Sequence, residues 1–280
     1  MTATINATGQ RAILQLKNVK RVFLRATKDE VMALDGISLD VYQQDFITII
    51  GSNGAGKSTL LNVIAGLYPP DKGGKVIINE TDVTNLPDYR RAAYVGRVWQ
   101  EPRAGTASNL TIEENLSLAL RRGQARGLRP ALTGKTRRLF CETLAHLGLG
   151  LEDRLKSQAG TLSGGQRQAL ALVMTTISKP AILLLDEHTA TLDPRTAGIV
   201  LQLTEMIIRD EKMTAMMVTH NMELALRHGN RLLMMHKGKI ILDLDQHQKS
   251  KLAVGDLVSR FEQASGERFA DDTMLLQPQS

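Results

Sequence analysis

The segment Gly51-Ser52-Asn53-Gly54-Ala55-Gly56-Lys57-Ser58 sets three glycines, a lysine and a hydroxyl in the order that a bound triphosphate requires. A phosphate chain needs many donors close to its oxygens. Glycines let backbone N–H groups approach, and a helix that starts beside them turns its positive end toward the anion. Lys57 has the length to reach the β and γ phosphates, and the Ser58 hydroxyl is a hard oxygen ligand suited to Mg²⁺. Thr59 adds a further phosphate contact.

A second set of reactive residues follows the apolar run Ile182-Leu183-Leu184-Leu185, which ends in Asp186-Glu187. Successive strand residues point to opposite faces, so the two acids can take different tasks. Asp186 is expected to steady Mg²⁺ through water or Ser58, and Glu187 to face the attacking water as general base. A third set is Leu162-Ser163-Gly164-Gly165-Gln166. Here Ser163 offers a hydroxyl, Gly164 and Gly165 expose N–H groups, and a helix starting at this point again aims its positive end at phosphate.

These groups need elements to hold them. Phe46-Ile47-Thr48-Ile49-Ile50 reads as the strand that delivers the glycine loop, and Thr59 to Ile64 as the helix after it. Val19 to Leu24 and Ile37 to Val41 read as strands around a turn at Lys28-Asp29-Glu30, and Val76 to Ile78 as another strand after Asp71-Lys72-Gly73-Gly74. From Thr111 to Gly148 the leucine spacing suits helices, with breaks near Gly127 and Pro130. Ile182 to Leu185, Ala215 to Val218 and Leu232 to Met235 are short apolar runs between helical stretches, the pattern of a parallel sheet built from crossover units. Met213, Met216, Met217, Met234 and Met235 fall in or beside these runs and read as core. Beyond about Leu244 the chain is polar and irregular, with a weak helical pattern from Leu252 to Phe261, and a short, partly ordered tail is expected.

Composition narrows the class. With 280 residues, 42% of them hydrophobic, the chain can bury a sizeable core. Its apolar runs fall well short of the roughly 18 to 20 residues that cross a bilayer. The start, Met1-Thr2-Ala3-Thr4-Ile5-Asn6, lacks the basic and apolar regions of a secretory signal, so a cytosolic location is expected. The single cysteine, Cys141, excludes an internal disulfide and a cysteine-cluster metal site. Net charge is +6 with pI near 9.5. The basic pairs Arg90-Arg91, Arg121-Arg122 and Arg137-Arg138 have no aromatic platform between them, so a nucleic-acid partner is not expected.

With these motifs in this order, from about Ile13 to Leu242, the chain resembles the ATP-binding cassette (ABC) transporter ATPases. The resemblance implies an α/β P-loop NTPase fold with a RecA-like core, an antiparallel β subdomain and an inserted helical subdomain. It divides the chain into a flexible N-terminus at 1–12, a cassette at 13–243 with its helical subdomain at about 101–165, and a tail at 244–280. By resemblance Phe23 stacks on adenine, and Gln100, after Val98-Trp99, senses Mg²⁺ and a membrane partner. Asp193 in Thr191-Leu192-Asp193 lies in the loop that crosses a dimer interface, and His220 in Val218-Thr219-His220 is the switch histidine at the γ phosphate. A lone histidine is more often structural, but its place after a strand and the order of the motifs favour the switch role.

The resemblance further implies an ATPase using ATP and Mg²⁺. In it Gly51 to Ser58 of one copy and Ser163 to Gln166 of a second copy, arranged head to tail, sandwich each nucleotide. Separate permease subunits would receive the motion, with the chain peripheral on the cytoplasmic face of the membrane. His188 departs from the family pattern, standing where most members have proline. The run Asp186 to Pro194, with Gly105-Thr106-Ala107 and Val218 to Glu223, resembles an importer subgroup that works with lipoprotein binding subunits and includes proposed tryptophan and tyrosine transporters. Import of a small organic solute such as an amino acid is the expectation. Export of lipid or drug, or a soluble single-cassette ATPase of the iron–sulfur assembly type, stays open at this point.

Overall fold

The computed structural model describes residues 9–123 and 130–266. Most of the expected flexible N-terminus, the break near Gly127 and the end of the tail lie outside them. The chain divides into two compact units, one made of Met1–Asp88 with Met213–Ser280 and the other of Tyr89–Lys212. In chain order the elements are β1 (Ala12–Phe23), β2 (Val31–Tyr42), β3 (Phe46–Ile50), α1 (Lys57–Ala65), β4 (Lys75–Ile78), β5 (Thr81–Asp82) and α2 (Asp88–Arg91). There follow β6 (Val95–Val98), α3 (Ile112–Leu120), α4 (Gly134–Ala145), α5 (Gly164–Thr176), β7 (Ile182–Asp186) and α6 (Pro194–Asp210). The chain then runs through β8 (Ala215–Val218), α7 (Met222–Arg227), β9 (Arg231–His236), β10 (Lys239–Asp245), α8 (Gln246–Lys249) and α9 (Val254–Ser265).

In the first unit, an antiparallel sheet has the order β2-β1-β4-β5. Alternation puts Ala12, Leu14 and Leu16 inside. A register shift between Leu16 and Val19, with Asn18 at φ 48°, then resets the alternation and returns Val19 to the core. The strand thus continues past the polar Lys17-Asn18, which the sequence reading had left outside it. β3 is buried along its whole length and is paired in parallel on both sides, with Ile49 opposite Val218 of β8 and Leu233 of β9. Cover on both faces explains why the run is apolar but for Thr48, whose buried hydroxyl donates to Ala225 O at 2.9 Å.

Beyond Leu244, where the sequence suggests a polar, partly ordered tail with a weak helical pattern, the described residues form α8 and α9. β10 pairs antiparallel with β9, and α9 follows it. Leu257 and Phe261, four apart on one face of α9, are buried with Ile50, Met222, Leu232, Met234 and Leu244. The weak helical pattern was a narrow apolar stripe on a largely polar helix. All five methionines named above are buried, in agreement with a core role.

In the second unit, β6 and β7 pair in parallel, Val95 opposite Ile182 and Val98 opposite Leu185. α5 packs close to β6. A Cβ on Gly96 would lie 2.6 Å from Thr175 Cγ2 and 2.9 Å from Pro180 Cγ, so only glycine fits. Ile112, Leu116, Phe140, Leu144, Leu170 and Val173 form the centre of a core built by α3, α4 and α5. α3 starts on a reciprocal cap in which Glu114 N donates to Thr111 Oγ1 and Thr111 N donates to Glu114 Oε2. Buried Asn115 then pins the preceding loop, donating to Ala107 O, Leu110 O and Thr111 O and accepting from Ala107 N. Cys141 lies within α4 as expected, its Sγ 3.7 Å from Glu152 O. Among the described residues no helix is long and apolar enough to cross a membrane.

Candidate nucleotide site

β3 ends at Ile50 and the glycine loop turns back on itself at once. Gly51, Gly54 and Gly56 have φ of 151°, 78° and 100°. A side chain at Gly51 would strike the Met235 carbonyl, and one at Gly56 the Ala33 carbonyl, so two of the three glycines are demanded by close approach as well as by φ. α1 begins at Lys57 with glycine as its cap and no acid in its first turn, which leaves its positive end to an incoming anion. The Lys57 ammonium lies within the loop, donating to Gly51 O at 2.5 Å and Ser52 O at 3.0 Å. Ala55 N donates to Ser52 O at 3.1 Å and tightens the curl. Ser58 and Thr59 follow in the first turn of α1.

His220 belongs to the same unit. β8 lies beside β3 in parallel, so the turn carrying Thr219 and His220 leaves the sheet at the same end as the glycine loop. Thr219 N donates to Ile49 O, and Asn221 caps α7 by accepting from Leu224 N at 2.9 Å. His220 is therefore held in a short, braced turn. Phe23, at the end of β1, is half-buried. Its ring meets the Tyr68 ring edge to face at 5.2 Å, and the Arg21 guanidinium lies 4.9 Å from it. Asp71 fixes this corner by accepting from Val22 N and pairing with Arg25 at 2.5 Å. Tyr68 and Arg21 carried no signal in the sequence, because nothing in their spacing ties them to Phe23.

The second unit holds the remaining residues. Asp186 ends β7, buried, and its Oδ2 pairs with Arg97 Nη2 of β6 at 2.7 Å. The Arg97 guanidinium also lies 3.8 Å from the centre of the Trp99 ring. Sequence reasoning missed Arg97, whose charge inside an apolar strand was the available clue. Glu187 corrects the alternation argument. It lies beyond the strand, at φ 46°, so a left-handed turn and not the pleat sets where it points. His188 follows, 1% exposed, with Nε2 3.0 Å from Thr204 Oγ1 of α6. Burial pushes its pKa down to about 4, so the ring is neutral.

Thr191 Oγ1 donates to Gln100 O at 3.3 Å, which brings Gln100 and the Thr191-Leu192-Asp193 loop together. Asp193 caps α6 by accepting from Thr196 N at 3.1 Å, and the hydrogen bonds from Thr196 hold its carboxyl below the usual range. Ser163 opens α5 with a reciprocal cap, its Oγ accepting from Gln166 N and Gln166 Oε1 accepting from Ser163 N, both at 3.3 Å. Ser163 and Gly164 are exposed. A Cβ on Gly165 would strike Thr196 Cγ2, so the α5 start packs against the first turn of α6.

Several comparisons agree. The family model described as "ABC transporter" matches residues 34–190. The chain is 42% identical over 252 residues to a tyrosine transport ATP-binding protein of Clostridioides difficile, covering 90% of this chain and 100% of that one. It is 40% identical over 200 residues to a thiamine import ATP-binding protein of Chelativorans sp., covering 71% and 76%. Among solved structures, a dimeric post-hydrolysis state of the ATP-binding cassette MJ0796 bound to ADP and phosphate aligns with a TM-score of 0.68 at 29% identity, covering 83% of this chain and 98% of that one. The fold is that of a P-loop NTPase cassette of mixed α/β type, and the chain belongs to the ABC transporter family as an ATP-binding, ATP-hydrolysing nucleotide-binding subunit.

Proposed function

We propose that this subunit drives import of an amino acid, of the tyrosine class, through separate permease subunits, from the cytoplasmic face of the membrane. The observation that carries the cargo is the similarity to a tyrosine transport ATP-binding protein along that protein's whole length. A lipoprotein binding subunit is the partner that would select the amino acid. ATP closes two copies head to tail and hydrolysis reopens them, a reading supported by the dimeric cassette among the structural relatives.

Each residue then has a task. Gly51 to Thr59 hold the phosphates, with Lys57 on the β and γ groups, and Phe23 takes the adenine. Ser163, Gly164, Gly165 and Gln166 act on the partner copy's ATP, and Asp193 lies at the interface. Glu187 takes a proton from water as its oxygen attacks the γ phosphorus and the bond to the β–γ bridging oxygen breaks. His220 bonds the γ phosphate, stabilising it as charge develops.

Ser58, Gln100 and Asp186 would hold Mg²⁺. They offer a hydroxyl, an amide oxygen and a carboxylate, all hard oxygens, and too few to cage the ion alone, which suits a cation that takes its other ligands from phosphate and water. Among the described residues no cluster of three histidine, cysteine or acidic side chains competes for a metal. Because Asp186 already has the Arg97 cation on one oxygen, contact with Mg²⁺ through water fits it better than direct ligation. In domain terms, 13–243 form the cassette, and about 101–165 its helical subdomain, facing the permease. The test is uptake of labelled tyrosine by cells lacking the gene and complemented with it or with its Glu187→Gln variant. Restoration by the first alone supports the reading, and uptake unaffected by deletion removes the cargo.

A further inference from the structure

We propose that His188 is a positioning residue for the general base, tethering the turn that carries Glu187 to α6. This deepens the reading above and rests on Glu187 being the base. A non-glycine residue in the left-handed region, as Glu187 is at φ 46°, is strained and persists only where its surroundings dictate it. Those surroundings can be named. Ala190 N donates to Glu187 O at 2.9 Å and Leu192 N to Thr189 O at 3.2 Å, which close the turn on itself. Asp193 then fastens its far end to the start of α6.

The near end is fastened by His188. Its ring is buried and its Nε2 meets Thr204 Oγ1 at 3.0 Å. Thr204 Oγ1 itself donates to Val200 O at 2.8 Å. The threonine proton is thereby committed, so the hydroxyl oxygen accepts from His188 Nε2–H, which fixes both the tautomer and the ring's orientation. Thr204 is 0% exposed, so no water replaces this bond cheaply. The peptide joining Glu187 to His188 is thus held from one side by the turn and from the other by a rigid helix. A base displaced by about 1 Å loses on the order of 100-fold in rate, so a tether one residue away is well placed to set turnover.

The experiment compares His188→Ala, Thr204→Val, their double variant and His188→Gln, whose amide restores a donor. Turnover is measured at saturating Mg²⁺–ATP below each variant's unfolding temperature, and ATP affinity by equilibrium binding. The expected result is that His188→Ala and Thr204→Val each lower kcat by about 10- to 100-fold, with affinity within about twofold of the parent. His188→Gln should recover most of kcat, and the double variant should fall no lower than either single one. Normal kcat in folded Thr204→Val, additive losses, or affinity falling in step with kcat would each overturn the tether. Glu187→Gln, run alongside, separates the two ideas. Full turnover in that variant removes the base assignment, whereas an inactive Glu187→Gln with a fully active Thr204→Val removes only His188's role.

Discussion

The buried His188 makes a quantitative prediction about acid stability. Burial lowers its pKa from the usual 6.5 to about 4, so the folded chain demands the neutral ring while the unfolded chain accepts a proton below pH 6.5. A depressed pKa contributes stability that is fully present above the unfolded value and is lost as pH falls toward the folded one. The window therefore runs from about pH 6.5 down to about 4, and the whole loss is about 3 kcal/mol at 1.36 kcal/mol per unit. At about pH 5 some 2 kcal/mol of it has gone. Urea unfolding of the parent and of His188→Gln, which keeps the donor but does not titrate, isolates this contribution, because every other titrating group is common to both. The stability difference should shift by about 2 kcal/mol in favour of the glutamine variant between about pH 7.5 and 5. A shift below about 0.5 kcal/mol, or one of opposite sign, would refute the burial of a neutral ring at this position.

Other expectations follow from the same geometry. Gly51→Ala should cost several kcal/mol and abolish ATP binding, because its Cβ meets the Met235 carbonyl, whereas Gly54→Ala, with no atom near its Cβ, should cost only about 1 to 2 kcal/mol from its positive φ. Calorimetry and nucleotide binding on the pair would check this. Arg97→Met leaves the buried Asp186 without that cation and should cost about 3 kcal/mol or more, a fall in Tm of about 10 °C by thermal unfolding. Tyr68→Ala removes the ring that braces Phe23 and should weaken ATP binding about 3- to 10-fold with kcat unchanged, read with a fluorescent nucleotide.

The elements that carry the motifs were the most legible in sequence, because both their pattern and their ends were marked. β3, apolar but for Thr48, and β8, apolar throughout, are runs closed by glycine or threonine, and the structure gives them the bounds Phe46–Ile50 and Ala215–Val218. β6 escaped because Gly96 and Arg97 interrupt its run, one admitting α5 and the other answering Asp186. β10 escaped, and α9 showed only as a weak helical pattern, because each keeps one wet face, so their apolar residues are sparse and only the fold shows that Leu244, Leu257 and Phe261 meet. The site residues were visible as chemistry, but their supports were not. Nothing in local spacing links His188 to Thr204, Phe23 to Tyr68 or Thr191 to Gln100, since these contacts are made by the tertiary fold.

The central claim is that this chain hydrolyses ATP to move other subunits in a membrane. The most direct test is to capture the tagged chain from detergent-solubilised membranes of its own source and identify what accompanies it in stoichiometric amount, with Mg²⁺–ATP present. A polytopic permease, recovered with two copies of this chain, is the predicted result. Recovery of soluble partners alone would contradict the transport reading and leave an ATPase with another task.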